Sequence, residues 1–280
     1  MSALRPVRVK EDIIYGPVNS RRLGRSLGVN VLGAAHKVCT FDCAYCQLRQ
    51  PRGYALPSNS PQAPCHRQCV RCNLAYAATG VLPSRHQLPS ADEVLGAVEK
   101  ALAENDAVQS ITLSGNGEPT LHPQFADIVT GLLALRDRLS PEAAVSVLSN
   151  SSTAGRPTVT RALRQLDLRI MKLDAGDEAT FRQVNRPCPG VSLADVVEGL
   201  RALGSFTLQT LFVGGTQGNA SPEQVENWLQ AVKRLRPERL QIYSLDRVPA
   251  EGGLTQLTSE ALATIALRAS AVAGAEARIY

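Results

Sequence analysis

Short apolar segments alternate along the chain with longer segments in which apolar residues recur at helical spacing. The short segments predict β-strands at residues 26–32, 110–115, 144–150, 168–174, 207–215 and 239–245. The longer segments predict helices at residues 90–105, 123–139, 157–166, 192–203, 222–235 and 259–272. Several of these helices would begin at Ser or Pro, which favour helix N-termini. Strands alternating with helices of this length predict parallel βα units joined by right-handed crossovers.

The six βα units predict an α/β fold in which the sheet is a partial barrel or a curved open sheet. A doubly wound sheet is the competing arrangement. A chain of 280 residues is of ordinary length for an α/β barrel, so we predict a single domain over residues 1–280. Residues 51–88 are rich in Pro, Ser and Gln and contain three cysteines, and we predict them to be a loop insertion within that domain.

A polar or cysteine-containing cluster follows each predicted strand. In parallel βα folds the carboxyl ends of the strands form the edge where binding sites assemble. We therefore expect the clusters to lie together at one end of the sheet. They are residues 39–46, 116–120, 150–152, 174–177, 214–219 and 246–247.

The composition is that of a globular protein, with 44% hydrophobic and 20% charged residues. No apolar run is long enough to predict a membrane span, and the N-terminal residues show no signal peptide, so we expect a cytoplasmic protein. Residues 1–90 contain 12 Lys and Arg against 3 Asp and Glu, whereas residues 91–280 contain 18 against 22. This basic excess would suit an anionic substrate or nucleic acid, or would offset the charge of metal-bound thiolates.

The cysteines form two motifs with the same spacing, Cys-x₃-Cys-x₂-Cys. The first motif is CTFDCAYC, with Cys39, Cys43 and Cys46, and the second is CHRQCVRC, with Cys65, Cys69 and Cys72. Cys188 is the seventh cysteine. An odd number of closely spaced cysteines in a chain without an export signal favours metal binding over disulfides.

The first motif suits an iron–sulfur cluster. Three thiolates at this spacing can hold three corners of a [4Fe–4S] cluster and leave its fourth iron open to the amine and carboxylate of a small molecule. A structural zinc site normally has a fourth Cys or His, and none lies within a few residues after Cys46. His36 precedes the motif, and we interpret it as a surface or cluster-shielding residue.

The motif CTFDCAYC, with Tyr45 before its last cysteine, resembles the signature of the radical S-adenosylmethionine (radical SAM) superfamily. Four further segments resemble the branch related to the wyosine tRNA-synthase group: GPVNSRRLGRSLGVNVLG at 16–33, SGNGEPTLHP at 114–123, KLDAGD at 172–177 and VNRP at 184–187. The resemblance covers residues 15–260 except for 51–88. It implies a partial (β/α)₆ TIM-like barrel. It also implies that an electron donor reduces a [4Fe–4S] cluster, which cleaves S-adenosylmethionine (SAM) reductively so that hydrogen is abstracted from a substrate.

The resemblance also implies roles for individual residues. Cys39, Cys43 and Cys46 would be the catalytic cluster ligands, and Tyr45 would contact the adenine of SAM. The stretch that receives the methionine amino group would be Gly115, Asn116, Gly117, Glu118 and Pro119, with Asn116 where a glycine is commoner. Asn150, Lys172 and Asp174 would contact the ribose and carboxylate of SAM, and a buried ion pair between Lys172 and Asp174 is the alternative.

The resemblance does not cover the second cysteine motif. Three interpretations of Cys65, Cys69 and Cys72 remain open: a second [4Fe–4S] cluster with Cys188 or substrate as the fourth ligand, a zinc site completed by His66 or His86, and thiols without metal. The wyosine group has its extra cysteines before the SAM-cluster motif, whereas this chain has none before Cys39. A reaction other than wyosine formation is therefore open to it.

We predict a cytoplasmic radical SAM enzyme that acts on a small-molecule or RNA substrate, and the basic excess favours an anionic one. One alternative is a tRNA-modifying radical SAM protein, and another is a non-catalytic, metal-stabilised nucleic-acid-binding module. The GNGEP stretch argues against the last, because a binding module has no need of a SAM site.

Overall fold

The computed structural model describes residues 12–33, 37–48, 88–246 and 252–280. The strands are β1 (Ile14–Ser20), β2 (Gly24–Val29), β3 (Ser110–Leu113), β4 (Ala144–Ser149), β5 (Leu168–Lys172), β6 (Thr207–Leu211), β7 (Val213–Gly215), β8 (Arg239–Tyr243), β9 (Leu254–Gln256) and β10 (Glu276–Ile279). The α-helices are α1 (Ala91–Glu104), α2 (Phe125–Leu139), α3 (Pro157–Leu163), α4 (Glu178–Val184), α5 (Leu193–Leu203), α6 (Pro222–Leu235) and α7 (Ser259–Ala273), and a 3₁₀ turn spans Pro119–Leu121. The second cysteine motif and all three histidines before His122 lie outside the described residues.

Eight of the strands form one sheet in the order β1-β2-β3-β4-β5-β6-β8-β10. Every pair in it is parallel except β1–β2, which is an antiparallel hairpin. Each of the six predicted strands is present, and the six are neighbours in chain order. The structure therefore confirms the predicted α/β fold with a parallel sheet, and it adds one strand at each edge.

The two ends of this sheet come close together. Arg21 in the β1–β2 turn forms an ion pair of 2.5 Å with Asp246, which follows β8. The guanidinium carbon of Arg22 lies 5.8 Å from the ring centre of Tyr280, which follows β10. Contacts between the first hairpin and the last strands require a strongly curved sheet, as in a partial barrel.

The predicted strand at 207–215 is broken in the structure. Strand β6 ends at Leu211, and residues 213–215 form β7, which pairs antiparallel with β9 in a separate two-stranded sheet. The side-chain amide of Asn219 causes the break, because it accepts from the N–H of Val213 and donates to the carbonyl of Leu211, both at 2.8 Å. The prediction of one continuous strand was wrong at this point.

The helices begin where the sequence places their capping residues. Ser90 and Glu93 form a capping box at the start of α1, and Ser221 and Gln224 form another at α6. Buried apolar residues of these helices belong to the same core cluster as one face of the sheet, for example Val98 with Ile111. Among the described residues, no helix has the length and apolarity required to span a membrane.

The other face of the sheet is polar. On β2, β3 and β4 it carries hydroxyls, and those of Ser26, Ser110 and Ser146 hydrogen-bond to the hydroxyl of Thr112 at 2.7–3.0 Å. On β5, β6 and β8 it carries longer groups, because Lys172, Gln209 and Gln241 are paired in register. We call this surface the polar face.

Candidate functional site

The loop after β2 carries the first cysteine motif, and backbone bonds hold it against the segment after α4. The N–H of Ala44 donates to the carbonyl of Val184 at 2.8 Å, and the N–H of Asp42 donates to Asn185 at 3.1 Å. Within the loop, the N–H of Cys46 donates to the carbonyl of Cys43 at 2.9 Å. We call residues 37–48 the cysteine loop.

The GNGEP stretch after β3 pairs with the start of the cysteine loop. The N–H of Val38 donates to the carbonyl of Asn116 at 2.8 Å, and the N–H of Glu118 donates to the carbonyl of Val38 at 2.9 Å. Gly117 lies between these bonds with φ +141°, and a Cβ there would be 1.8 Å from the Val38 oxygen. The glycine therefore allows a close approach between two backbones, as expected, and the second backbone is that of the cysteine loop.

Glu118 is 1% exposed and its carboxylate is almost fully occupied. Oε1 accepts from the backbone N–H and hydroxyl of Thr120 and from the hydroxyl of Ser149, while Oε2 accepts from the N–H of Asn150 at 2.5 Å. Burial raises the pKa of this carboxyl although these donors oppose the shift. These are four donors, about the number that a carboxylate accepts, but three of them are at Oε1 and one is at Oε2, so a further donor would bind at Oε2.

Asn150 connects the end of β4 to the cysteine loop. Its amide nitrogen is 2.9 Å from the hydroxyl of Thr40 and 3.4 Å from the sulfur of Cys39. Its side-chain oxygen accepts from the N–H of Ser152 at 2.9 Å. Ser151 between them has φ +71°, an uncommon value for a residue with a side chain and one that occurs often at functional sites.

Asp174, after β5, is the centre of a buried network. One carboxylate oxygen accepts from the hydroxyl of Tyr45 at 2.5 Å and from the amide of Asn185 at 2.7 Å. The other accepts from the N–H of Leu211 at 2.9 Å and lies 3.3 Å from the ammonium of Lys172. Burial opposes the charge of Lys172, but Asp174 and the hydroxyl of Tyr243 outweigh it and raise the lysine pKa. The ion pair named as an alternative is therefore present.

Cys188 is buried beside the cysteine loop. Its N–H donates to the carbonyl of Thr40 at 2.8 Å, and burial raises the pKa of its thiol. The structure thus brings together all the site residues predicted within its described part, namely Cys39, Cys43, Tyr45, Cys46, Gly115, Asn116, Gly117, Glu118, Pro119, Asn150, Lys172, Asp174 and Cys188. Most of them lie on the loops at the carboxyl ends of β2 to β5, whereas Lys172 is the last residue of β5 and Cys188 follows α4.

The comparisons with known proteins agree with this geometry. The family profile described as Radical SAM superfamily matches residues 36–232, more than half of the chain. The chain belongs to the radical SAM superfamily. This membership confirms the predicted family, whose members are enzymes that use a [4Fe–4S] cluster and SAM.

Two curated relatives match most of the radical SAM chain. A protein named GTPase Obg of Brachyspira hyodysenteriae is 26% identical over 245 residues, which are 86% of this chain and 31% of that protein. UPF0026 protein MJ1312 of Methanocaldococcus jannaschii is 26% identical over 246 residues, 85% of this chain and 65% of that protein. This chain therefore corresponds to less than two thirds of the length of either relative.

Solved structures share the radical SAM fold at low identity. A radical SAM methyltransferase from Sphaerobacter thermophilus has a TM-score of 0.57 and 14% identity, over 91% of this chain and 65% of that chain. TYW1 with a lysine–pyruvate adduct bound has a TM-score of 0.50 and 16% identity, over 88% of this chain and 73% of that chain. At these identities the likeness concerns the fold.

The surroundings of the radical SAM cysteines fit a cluster. Burial raises the pKa of the Cys39 thiol to about 12 and also raises that of Cys43, and coordination to a metal would favour the thiolate forms. Burial would lower the pKa of Lys37, but the negative charges of the three cysteine thiolates and of Asp42 outweigh burial and raise it. Cys39 and Cys43 also receive weak amide donors from Asn150 and Asn185, at 3.4 and 3.5 Å. Hydrogen bonds to cluster sulfurs tune the reduction potential.

In the described part of the chain, no three His, Cys, Asp or Glu side chains are placed to hold one metal ion. A [4Fe–4S] cluster binds each cysteine through a different iron, so its ligands stand farther apart than those of a single ion. Three cysteine thiolates are a donor set that fits such a cluster.

Three contributors were not identified as site residues from the sequence. Lys37 provides the positive charge beside the thiols, and Thr40 receives the amide of Asn150. Asn185 donates to Asp174 and Cys43, and its side-chain oxygen is buried without a partner in the described residues. Asn185 belongs to the segment VNRP at 184–187, so the family resemblance already pointed to this position without giving the asparagine a role.

We expect the Gly117→Ala substitution to disrupt the cysteine loop. The new methyl group would displace Val38, and the lost hydrogen bonds and backbone strain should lower the free energy of unfolding by about 2–4 kcal/mol. Cluster iron per chain after anaerobic reconstitution should fall accordingly. Gly96→Ala is the matched control, because its Cβ on α1 would meet open space. Equal iron contents in Gly117→Ala and wild type would contradict the role of this contact.

Proposed function

We propose that this enzyme binds SAM at a [4Fe–4S] cluster on Cys39, Cys43 and Cys46 and removes a hydrogen atom from a small anionic substrate. The observation that carries the proposal is the backbone pairing that places the cysteine loop beside the GNGEP stretch. When bound, the cluster and SAM supply one-electron reduction and a carbon radical. The protein residues bind, orient and shield these groups.

The stretch from Gly115 to Pro119 is proposed to receive the methionine part of SAM. The remaining lone pair on Oε2 of Glu118 suits an ammonium, which donates a charge-assisted hydrogen bond. The other bonds to this carboxylate hold it in place through Thr120, Ser149 and Asn150. Glu118 would therefore bind the amino group without rearrangement.

Tyr45, Asn150, Lys172 and Asp174 are proposed to contact the adenosine part and the carboxylate of SAM. Tyr45 presents a ring whose hydroxyl is fixed by Asp174, so its orientation is set before a ligand arrives. The ammonium of Lys172 lies 5.2 Å from the centre of this ring. Asn150 is fixed on both sides by Thr40 and Ser152. Prearranged groups of this kind lower the entropic cost of binding.

A small-molecule substrate is favoured over tRNA. The tRNA alternative depends on the arginine excess, but one of these arginines, Arg21, already pairs with Asp246 within the chain. Membership of an enzyme superfamily argues against the non-catalytic module. We further propose that Cys65, Cys69 and Cys72, with Cys188, hold a second [4Fe–4S] cluster that binds substrate or transfers an electron.

The reaction can be tested with SAM alone. We expect the reduced, anaerobically reconstituted protein to cleave SAM to 5′-deoxyadenosine and methionine, slowly in the absence of substrate. Replacing Cys39, Cys43 and Cys46 together with Ala should abolish cleavage, because the cluster loses its protein ligands. Chromatographic quantification of both products gives the rate. Unchanged cleavage by the triple variant would refute the mechanism.

The role of the Glu118 carboxylate can be tested by replacing it with the neutral amide of glutamine. Glu118→Gln should weaken SAM binding roughly ten- to a hundredfold, since a charge-assisted contact contributes about 1.5–3 kcal/mol. Anaerobic calorimetric titration with SAM measures the change, and the absorption of the first cluster should persist. Glu99→Gln, in an exposed ion pair with Arg138, is the control and should bind SAM as wild type does. Equal affinities of Glu118→Gln and wild type would remove Glu118 from the SAM site.

Metal analysis distinguishes the interpretations of the second motif. Two clusters require about eight irons per chain and one cluster requires about four. Replacing Cys65, Cys69 and Cys72 together with Ala should remove about half of the iron and leave SAM cleavage measurable. About four irons together with stoichiometric zinc in the wild type would instead assign the motif to zinc, which has no redox chemistry.

A further inference from the structure

Five side chains alternate as ring, cation, ring, cation and ring beside the proposed SAM site. The ammonium of Lys172 lies 5.2 Å from the ring centre of Tyr45 and 5.1 Å from that of Tyr243. The guanidinium carbon of Arg22 lies 5.0 Å from Tyr243 and 5.8 Å from Tyr280. These distances are within the range of cation–π attraction. We call the five residues the aromatic–cation column.

The column joins the cysteine loop to the far end of the sheet. Tyr45 belongs to the cysteine loop, Lys172 ends β5, and Tyr243 ends β8. Arg22 lies in the β1–β2 turn, where the hydroxyl of Ser20 accepts from its backbone N–H at 3.3 Å. The column therefore runs along the carboxyl ends of β5, β8 and β10, from the cysteine loop to the side chain of Arg22.

The two cations of the column differ in their partners. Lys172 is balanced by Asp174 at 3.3 Å and also donates to the hydroxyl of Tyr243 at 2.9 Å. No carboxylate pairs with Arg22 within the described residues, and its Nη1 is buried there without a hydrogen-bond partner. Its neighbour Arg21 does have a carboxylate partner, Asp246. Leaving a buried charged donor unpaired is costly, so a group that accepts from Arg22 is expected.

A cavity of about 80 Å³ lies directly against Arg22. Its wall includes two further arginines, Arg239 and Arg278, and one carboxylate, Glu276, which already pairs with Arg278 at 2.7 Å. The wall therefore has a surplus of positive charge. A volume of this size accommodates a carboxylate or phosphate group together with a water molecule.

We infer that Arg22 binds the ionised group of the substrate, a carboxylate or phosphate, at the hairpin end of the aromatic–cation column. The inference rests on the proposed function and names the chemistry of its substrate. The rings of Tyr243 and Tyr280 lie within cation–π distance of the guanidinium, and its unpartnered Nη1 can donate to a carboxylate or phosphate oxygen. The rest of the substrate then extends along the polar face toward the cysteine loop.

Anion binding to the holoenzyme tests this inference without SAM and without turnover. Inorganic phosphate and acetate are titrated separately while chloride keeps the ionic strength constant, and the thermal unfolding midpoint gives each dissociation constant. At least one of the two anions should bind wild type roughly ten- to a hundredfold more tightly than Arg22→Gln. The anion that shows this difference identifies the ionised group.

Two further variants control for charge and for folding. Arg25→Gln removes the same charge from an exposed position of the same hairpin and should bind the anions as wild type does. Arg22→Lys keeps a cation between the rings but loses the planar fork, and its affinity should fall between those of wild type and Arg22→Gln. Iron content and circular dichroism verify that each variant is folded. If Arg22→Gln is not folded, Arg22→Lys takes its place in the comparison with wild type.

Equal stabilisation of wild type and the Arg22 variants by both anions would overturn the inference, and so would an equal loss in Arg25→Gln. The proposed function is tested separately by SAM cleavage. If the protein binds the anion through Arg22 but does not cleave SAM, the proposed reaction is refuted and the anion site at Arg22 is supported. If the protein cleaves SAM but shows no Arg22-dependent anion binding, only the inference about Arg22 is refuted.

Discussion

The pairing of Val38 with Asn116 and Glu118 is the contact on which the rest of the site depends. It joins the loops after β2 and β3 through their backbones one residue before Cys39, so no side chain can substitute for it. The carboxylate of Glu118 then extends the connection to the loop after β4, where it accepts from the N–H of Asn150. Three strand ends are thus held together by bonds that permit only glycine at position 117.

Most of the fold could be predicted because its strands and helices repeat with clear periods, and β2 to β6 with β8 follow one another in the sheet as they do in the chain. The missed elements are short or exposed. Strand β10 has no fully buried residue, and α4 has only seven residues. Strand β1 contains Gly16 and Pro17, which interrupt an alternating pattern. The end of β6 depends on the distant side chain of Asn219, which periodicity does not report.

The site was predictable where a motif specifies chemistry, as with Cys39, Cys43 and Cys46, and less so where chemistry arises from packing. The sequence indicated that Lys172 and Asp174 lie near each other. It did not indicate that Tyr45 and Asn185, which are far apart in the chain, donate to the same carboxylate oxygen of Asp174. Such networks depend on which side chains the curved sheet brings together, and neither spacing nor composition determines that.

The polar face explains an unusual feature of the strands. Parallel strands covered on both faces are usually continuous apolar runs, whereas here apolar residues alternate with Ser, Thr, Gln or Lys. Burial of apolar surface therefore stabilises mainly the helix-covered face, and the opposite face is also held by hydrogen bonds such as Thr112 to Ser146. The two halves of this face differ in charge, with neutral hydroxyls on β2 to β4 and the cation Lys172 at the end of β5, beside Tyr243 of β8. A ligand that lies across it is therefore oriented by its own charge distribution.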